Sequence, residues 1–415
     1  MKKTIDFYLN KRIIINCIIL LCLFFVQCFW FPMIYIIYPV LTIMLMADTL
    51  NNGFTYLMFT IPFCYIGGKI GFSIYLIVCI LFLIKYYIIT ICKDKIKVSP
   101  SVLIVFVLFL LYSILPIGPY NYNFLVKLVF LSLIIFTVWV LVNQRRVINF
   151  SHNIRILSMS LMISCLFSLT YYISPYLQEA FHMNYLTDSI IRFQALLGHP
   201  NAFGTLCSLC ISFLAYSYMK RRRYYDLILT ILIAFLGIFS FSKTYLIILF
   251  IVGCVLTIYL FRHNIKLALA LTIVMLVSIG GLIILFPDVY TIFYDRFLGK
   301  LATCKDFRDI MNMITTDRFN LWLEYGQYLI KNPIHAIFGG GLGVEVMSTL
   351  SAHNAYISMI YQLGLIGSIL FVCTIVFIVR DKLIKNQIKI HPAIWLPIII
   401  IALILSIEDV MFYIM

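Results

Sequence analysis

Apolar runs long enough to cross a bilayer recur along almost the whole chain, and they leave little room for a water-soluble fold. Thirteen are read, at 13–31, 34–47, 54–66, 70–91, 102–115, 124–142, 156–173, 202–219, 227–239, 244–261, 265–286, 355–379 and 393–411. Lipid offers the backbone no hydrogen-bond partner, so a segment that enters it must close its own hydrogen bonds as a helix. The second and third runs are short for a hydrocarbon layer about 30 Å thick. Composition agrees: 63% hydrophobic and 11% charged residues over 415 positions, with a mean hydropathy of +1.05, do not describe a soluble surface. The expected fold is all-α, a polytopic integral membrane protein of about 12–13 transmembrane helices with one long exterior loop.

Basic residues in short loops stay on the cytoplasmic side, so their placement orients the bundle. Starting inside, alternate loops carry Lys2, Lys3, Lys11 and Arg12, then Lys93, Lys95 and Lys97, then Arg145, Arg146 and Arg155. Lys220, Arg221, Arg222 and Arg223 follow, then Arg262 and Lys266, and finally Arg380, Lys382, Lys385 and Lys389. Twenty of the 31 lysines and arginines thus fall on one side, and the N-terminus is expected in the cytoplasm. The formal charge of +15 is therefore mostly a topology signal, reinforced by anionic headgroups, and does not point to nucleic acid.

The first run is too long for a signal-peptide core and lacks a following small-residue cleavage site, so it reads as a retained helix. Most of the twelve cysteines lie in apolar runs. Cys207 and Cys210 have CxxC spacing but sit in a membrane helix without a second pair, which favours packing over metal or redox chemistry.

The alternation places residues 287–353 outside, and at 67 residues this connection dwarfs the others. The chain divides accordingly into a first membrane bundle (1–286), this loop (287–353) and the C-terminal membrane helices (354–415). The loop mixes six basic residues with seven acidic ones, as a folded surface does. Residues 317–330 read as an amphipathic helix with Phe319, Trp322, Leu323, Leu329 and Ile330 available to rest on the membrane domain, ended by Asn332 and Pro333. The glycine-rich stretch 338–343 is either a tight turn or a nest of backbone N–H groups for an anion.

A second exterior loop, 174–201, holds Arg192 and ends in Gly198, His199, Pro200 and Asn201 at a helix start, where Asn201 reads as a cap more readily than a ligand. Lys127 and Lys243 stand near exterior helix ends, where a cation has no topological reason to be; snorkelling is the bland alternative. Glu408 and Asp409 lie near the exterior end of the last helix, one as a partner for a site cation. His353 closes the long loop directly before a helix, where an imidazole can accept a hydroxyl proton, although a lone histidine there is more often a cap or packing residue.

Taken in order, several of these patterns resemble the O-antigen polymerase and ligase family, the Wzy-type proteins of surface polysaccharide assembly. The stretch 192–204, from Arg192 through Gly198, Pro200 and Asn201, resembles the family's arginine, glycine and proline-asparagine helix start. Ser242-Lys243-Thr244 resembles its serine-arginine turn, with lysine where arginine is usual; the lysine keeps the charge and loses the planar fork. Arg318 through Trp322, followed by Asn332, Pro333 and the glycines, resembles the start of its exterior-loop helix. His353, Asn354 and Tyr356, with Gly364 and Gly367 beyond, resemble its histidine-asparagine helix mouth. The likeness covers roughly 190–370; the first half matches only as a series of membrane helices.

The resemblance implies a GT-C-like membrane bundle in the bacterial cytoplasmic (inner) membrane. It implies transfer of a sugar chain from an undecaprenyl-diphosphate carrier to a hydroxyl of another lipid-linked glycan, at the extracytoplasmic face. Arg192, Lys243 and Arg318 would hold the diphosphate, and His353 would act as general base. Asn354, Tyr356, Glu408, Lys127 and Asn201 would support them. No Asp-x-Asp metal motif occurs, so the expected reaction needs neither metal nor cofactor. Partners would be the lipid-linked donor and acceptor, the bilayer, a chain-length regulator and a flippase. Two alternatives stay open: ligase-type transfer to another acceptor, and a lipid-linked oligosaccharide flippase, whose inverted or parallel repeats and midplane charges are not seen.

Overall fold

The computed structural model describes residues 2–66, 68–92, 99–114, 122–143, 148–180, 192–270, 272–273, 291, 294, 304–315, 318–342, 352–385 and 391–407. Helices account for nearly all of them. The first set is α1 (Lys2–Gln27), α2 (Ile34–Ala47), α3 (Leu50–Thr60), α4 (Gly68–Cys92), α5 (Pro100–Ile114) and α6 (Tyr122–Asn143). Then come α7 (Phe150–Ser168), α8 (Pro175–Ala180), α9 (Pro200–Arg221), α10 (Tyr224–Ile238) and α11 (Lys243–His263). Three helices belong to the long loop, α12 (Phe307–Thr315), α13 (Arg318–Lys331) and α14 (Pro333–Phe338). The chain returns through α15 (Ala355–Lys385) and α16 (Trp395–Ile407).

Every apolar run falls on one of these helices except 265–286, most of which lies outside the described residues. Among the described residues five helices are long and apolar enough to cross a membrane, and five shorter apolar ones accompany them. Their outward surfaces carry Phe250 (73% exposed), Ile43 (67%) and Leu166 (65%). Side chains like these face outward in quantity only where the surrounding solvent is lipid. The chain is an all-α, multi-pass membrane protein.

The short helices have a physical reason. At 1.5 Å per residue, α3 rises only about 17 Å, and it is enclosed by its neighbours rather than lipid-facing. Gly53 allows this, because a Cβ there would stand 2.3 Å from Cε2 of Phe82 on α4. On its other side the Thr55 hydroxyl meets Asn153 of α7 at 2.7 Å, and the Ser160 hydroxyl of α7 donates to the Phe59 carbonyl.

Two apolar cores result. One gathers α1–α6 with Leu363, Phe371 and Ile378 of α15, and the other gathers α7, α9, α10, α11 and α16. Helix α7 lies between them, lending Ile163 and Phe167 to the first and Leu157 and Leu161 to the second. The segment before α9 closes the seam, with Leu196 in the first core and Ala195 and Leu197 in the second.

Hydrogen bonds sort the helix ends into two groups. At the lower end the Asn51 side chain accepts from Asn149 N–H, and Lys85 reaches the carbonyls that end α2. At the upper end Ser174 donates to the Cys28 carbonyl, Tyr176 to that of Ile66, Arg192 to that of Ser240 and Asn354 to that of Ser406. Up-and-down threading in chain order satisfies both groups. Arg155 departs from the loop role read for it, since it is buried in α7 and forks onto Asp226 of α10.

The buried face of α13 differs from the one read in the sequence. Tyr325 is its centre, with Leu321, Tyr328 and Leu329 beside it, while Leu323 and Ile330 are exposed. Positions 321, 325, 328 and 329 share one helical face, and 323 and 330 lie off it. The glycine stretch is a turn in its described part. Gly339, Gly340 and Gly341 donate their N–H groups to the carbonyls of His335, Tyr361 and Gln362, so these amides serve the chain and not an anion.

That turn docks on a break in α15. Gly364 has φ 67° and ψ 178°, outside any helix. The N–H groups of Gly340 and Gly341 satisfy the Tyr361 and Gln362 carbonyls beside the break. Gly339, at φ 79°, lies against it so closely that a Cβ on either glycine would come within 2.4 Å of the other segment's backbone.

Candidate functional site

Four helices begin at one place at the upper end, and each start carries a residue singled out by the sequence or its neighbour. His199 is the N-cap of α9, its Nδ1 accepting the Asn201 N–H at 3.1 Å. Ser242 caps α11 and Lys243 is its first residue. Arg318 is the first residue of α13. Asn354 caps α15, its Oδ1 accepting from the N–H groups of Tyr356 (3.0 Å) and Ile357 (3.1 Å), directly after His353. A helix start is the positive end of a dipole, so this convergence makes the local potential positive before any side-chain charge is added.

Charge is then added. Arg192 donates from Nε to the Ser240 carbonyl at 2.9 Å and from Nη2 to Oδ1 of Asn201 at 2.7 Å, both neutral acceptors that fix its direction. Asn201 thus positions the arginine, and the capping duty read for it belongs to His199. Lys243 reaches across to the Met313 carbonyl near the end of α12 and so ties the long loop to α11. Arg308 to Asn320 (2.6 Å) and Asn320 N–H to Asn312 (2.9 Å) join α12 to α13, which holds Arg318 in register.

The electrostatics show how close these groups are. His353 is brought down from its ordinary 6.5 to about 4, first by burial and then by the Arg318 guanidinium. His199 is also brought to about 4, by burial and then by Arg192, Arg318 and His353. Both imidazoles are therefore neutral at neutral pH, and since Nδ1 of His199 accepts the Asn201 N–H, its Nε2 carries the hydrogen.

His353 has φ 47°, a left-handed conformation that a side chain with a Cβ adopts only under constraint. The constraint comes from both sides: Trp322 Nε1 donates to the Ala352 carbonyl at 2.9 Å, and Asn354 Nδ2 to that of Ser406 at 2.8 Å. Ala195 (φ 49°) and Phe241 (φ 47°) are also left-handed and flank the same site. Of the four such non-glycine residues among those described, only Arg222, the C-cap of α9, lies at the other end. Strain of this kind costs on the order of 1–3 kcal/mol per residue and collects where geometry matters more than stability.

The structure thus brings Arg192, Arg318 and His353 together, with Lys243 and Asn201 bracing the surroundings. Tyr356 is turned toward α16, its hydroxyl donating to the Ala402 carbonyl at 3.3 Å. Lys127 is buried on α6. Glu408 and Asp409 lie outside the described residues. His199 and Trp322 are the contributions that the sequence alone does not assign. His199 is visible there only as a histidine between the glycine and proline of a helix start, and Trp322 reads as an apolar contact. Cys207 and Cys210 are fully buried in the second core, as packing residues are.

No family model, curated protein or solved structure matches this chain. What fold and site define together is a multi-pass helical membrane protein with a basic, histidine-containing cluster at one end of its bundle.

Proposed function

We propose that this chain is a glycosyltransferase that polymerises undecaprenyl-diphosphate-linked oligosaccharide repeat units into a surface polysaccharide, at the outer face of the bacterial cytoplasmic membrane. The observation that carries the reading is the gathering of Arg192, Arg318 and two neutral imidazoles at converging helix starts, among helices long and apolar enough to cross a membrane. The excess of lysine and arginine at the lower end supports an outward-facing site.

In this reading Arg192 and Arg318 grip the diphosphate and Lys243 adds its charge. The acceptor hydroxyl attacks the anomeric carbon as the bond from that carbon to the phosphate oxygen breaks. The bonding pair leaves on the diphosphate, which fixed cations stabilise without an acid or a metal. His353 takes the hydroxyl proton and later gives it to water. Burial and the Arg318 guanidinium hold its proton affinity low. The arriving diphosphate offsets that charge and raises the affinity where a base is needed. Each of these residues is expected to contribute on the order of 100-fold or more in rate.

The test is purified protein with its diphospholipid-linked repeat unit in EDTA, read as a ladder on a gel. His353→Ala and Arg318→Ala should each abolish the ladder with helical content unchanged. Wild-type ladders from both variants sink the assignment, and one shifted band in place of a ladder reassigns the chain to single-step ligation.

A further inference from the structure

Two residues past Arg192 stands a buried group that the diphosphate reading leaves unused. Gln194 is 2% exposed, and neither its Oε1 nor its Nε2 meets a hydrogen-bond partner among the described residues. A buried amide with both ends unbonded is costly, and native chains retain one where something else completes it.

The backbone keeps this side chain from relieving itself in water. Phe193 N–H donates to the Phe239 carbonyl at 3.0 Å, and Arg192 to that of Ser240 next to it. Downstream, Ala195 takes its left-handed turn and the Leu197 N–H closes on the Gln194 carbonyl at 3.2 Å. Ala195, Leu196 and Leu197 are anchored in the two apolar cores. Gln194 is therefore fixed on the same short segment as two members of the site, the Arg192 guanidinium and the neutral His199.

The chemistry of the amide narrows its ligand. A primary amide presents a donor and an acceptor side by side. Phosphate oxygens only accept, so a diphosphate would leave the glutamine carbonyl orphaned. Adjacent sugar hydroxyls, one donating and one accepting, satisfy both atoms. We propose that Gln194 reads the sugar attached to the diphosphate, setting which lipid-linked glycan the site accepts; this rests on the glycosyl-transfer reading above.

The test uses the full chain in detergent, with Gln194→Met matching the shape of the side chain and Gln194→Leu as a second apolar variant. Two probes are compared, undecaprenyl diphosphate without sugar and the same lipid bearing its oligosaccharide. Both variants should unfold at the wild-type temperature or above it, since an unbonded polar group has been removed. They should bind the bare diphosphate as wild type does and the sugar-bearing lipid roughly tenfold more weakly. A lowered unfolding temperature in both variants, equal weakening toward both probes, or no weakening overturns the inference. If wild type binds the bare diphosphate and Arg192→Ala abolishes that binding while the Gln194 variants change nothing, only the sugar-reading role falls. If wild type binds neither lipid, the glycosyl-transfer reading falls with it.

Discussion

At the lower end of the bundle the buried charges Arg155, Asp226 and Asp48 meet opposite charges, whereas at the upper end Arg192 and Arg318 stand by imidazoles that stay neutral. Arg155 meets Asp226 through a two-pronged contact of 2.5 and 2.9 Å, Ser217 adds a bond of 2.9 Å, and the Tyr225 ring lies 4.2 Å under the guanidinium. Nearby, burial would raise the Asp48 carboxyl, but hydrogen bonds from Thr49, Tyr56 and Asn52 and the Arg12 charge outweigh it and hold the group below its usual range. Lys85 meanwhile donates to the carbonyls of Leu45, Met46 and Asp48, where a helix C-terminus welcomes a cation. At the upper end Arg192, Arg318 and His353 each make it harder for His199 to hold a proton. The first arrangement joins helices; the second sets guanidinium groups beside imidazoles that stay neutral.

The largest test of that contrast is at the lower end. Asp226→Ala leaves Arg155 buried without its counter-charge and should cost about 3–5 kcal/mol, seen as a collapse of the unfolding temperature in detergent. Pairing it with Arg155→Met should recover most of the loss; failure to recover would mean that the ion pair does more than balance itself. Next, Gly364→Ala forces a side chain into a left-handed position 2.4 Å from the Gly339 nitrogen. Strain alone should cost roughly 1–3 kcal/mol, and activity should fall further than stability because the α13–α15 docking shifts. A smaller effect is expected from Arg318→Lys, which keeps the charge and loses the fork. Its turnover should drop by about 10- to 100-fold with thermal unfolding unchanged.

The smallest effect is in pH. Because the folded pKa of His353 lies near 4 against an ordinary 6.5, the unfolded chain binds more protons between those values. Stability is fully present above about 6.5 and is lost as pH falls toward 4. Replacing His353 and His199 together by asparagine should flatten the fall in unfolding temperature between pH 7 and 5. An equally steep slope in that double variant would place the titrating groups elsewhere.

Much of this contrast is legible in the amino-acid sequence. The apolar runs place the helices because lipid leaves the backbone no alternative, and Arg318 does begin its helix. His353 stands out by closing the long loop directly before a helix, whereas Arg192 and Arg318 are singled out only through the motifs that carry the resemblance. The remainder depends on distant packing. Nothing local tells that Arg155 is turned inward, since its partner Asp226 is 71 positions away. The buried face of α13 is decided by Tyr361 and Ala352 on the far side of the glycine turn. Counting apolar residues alone weights Leu323 and Ile330 as heavily as Leu321 and Leu329. His199 resembles mere punctuation along the chain because its burial beside Arg192, Arg318 and His353 exists only once three loops meet.

The paired glycines at 339 and 364 make the long loop something other than a flap hinged at its two ends. It is stitched to the membrane shaft partway along, through two backbone hydrogen bonds and the Tyr112 hydroxyl on the Phe338 carbonyl at 2.7 Å. Lifting it would drag the top segment of α15 along, and His353 with it. In the glycosyl-transfer reading proposed above, substrate and product would pass between elements while this loop stays docked.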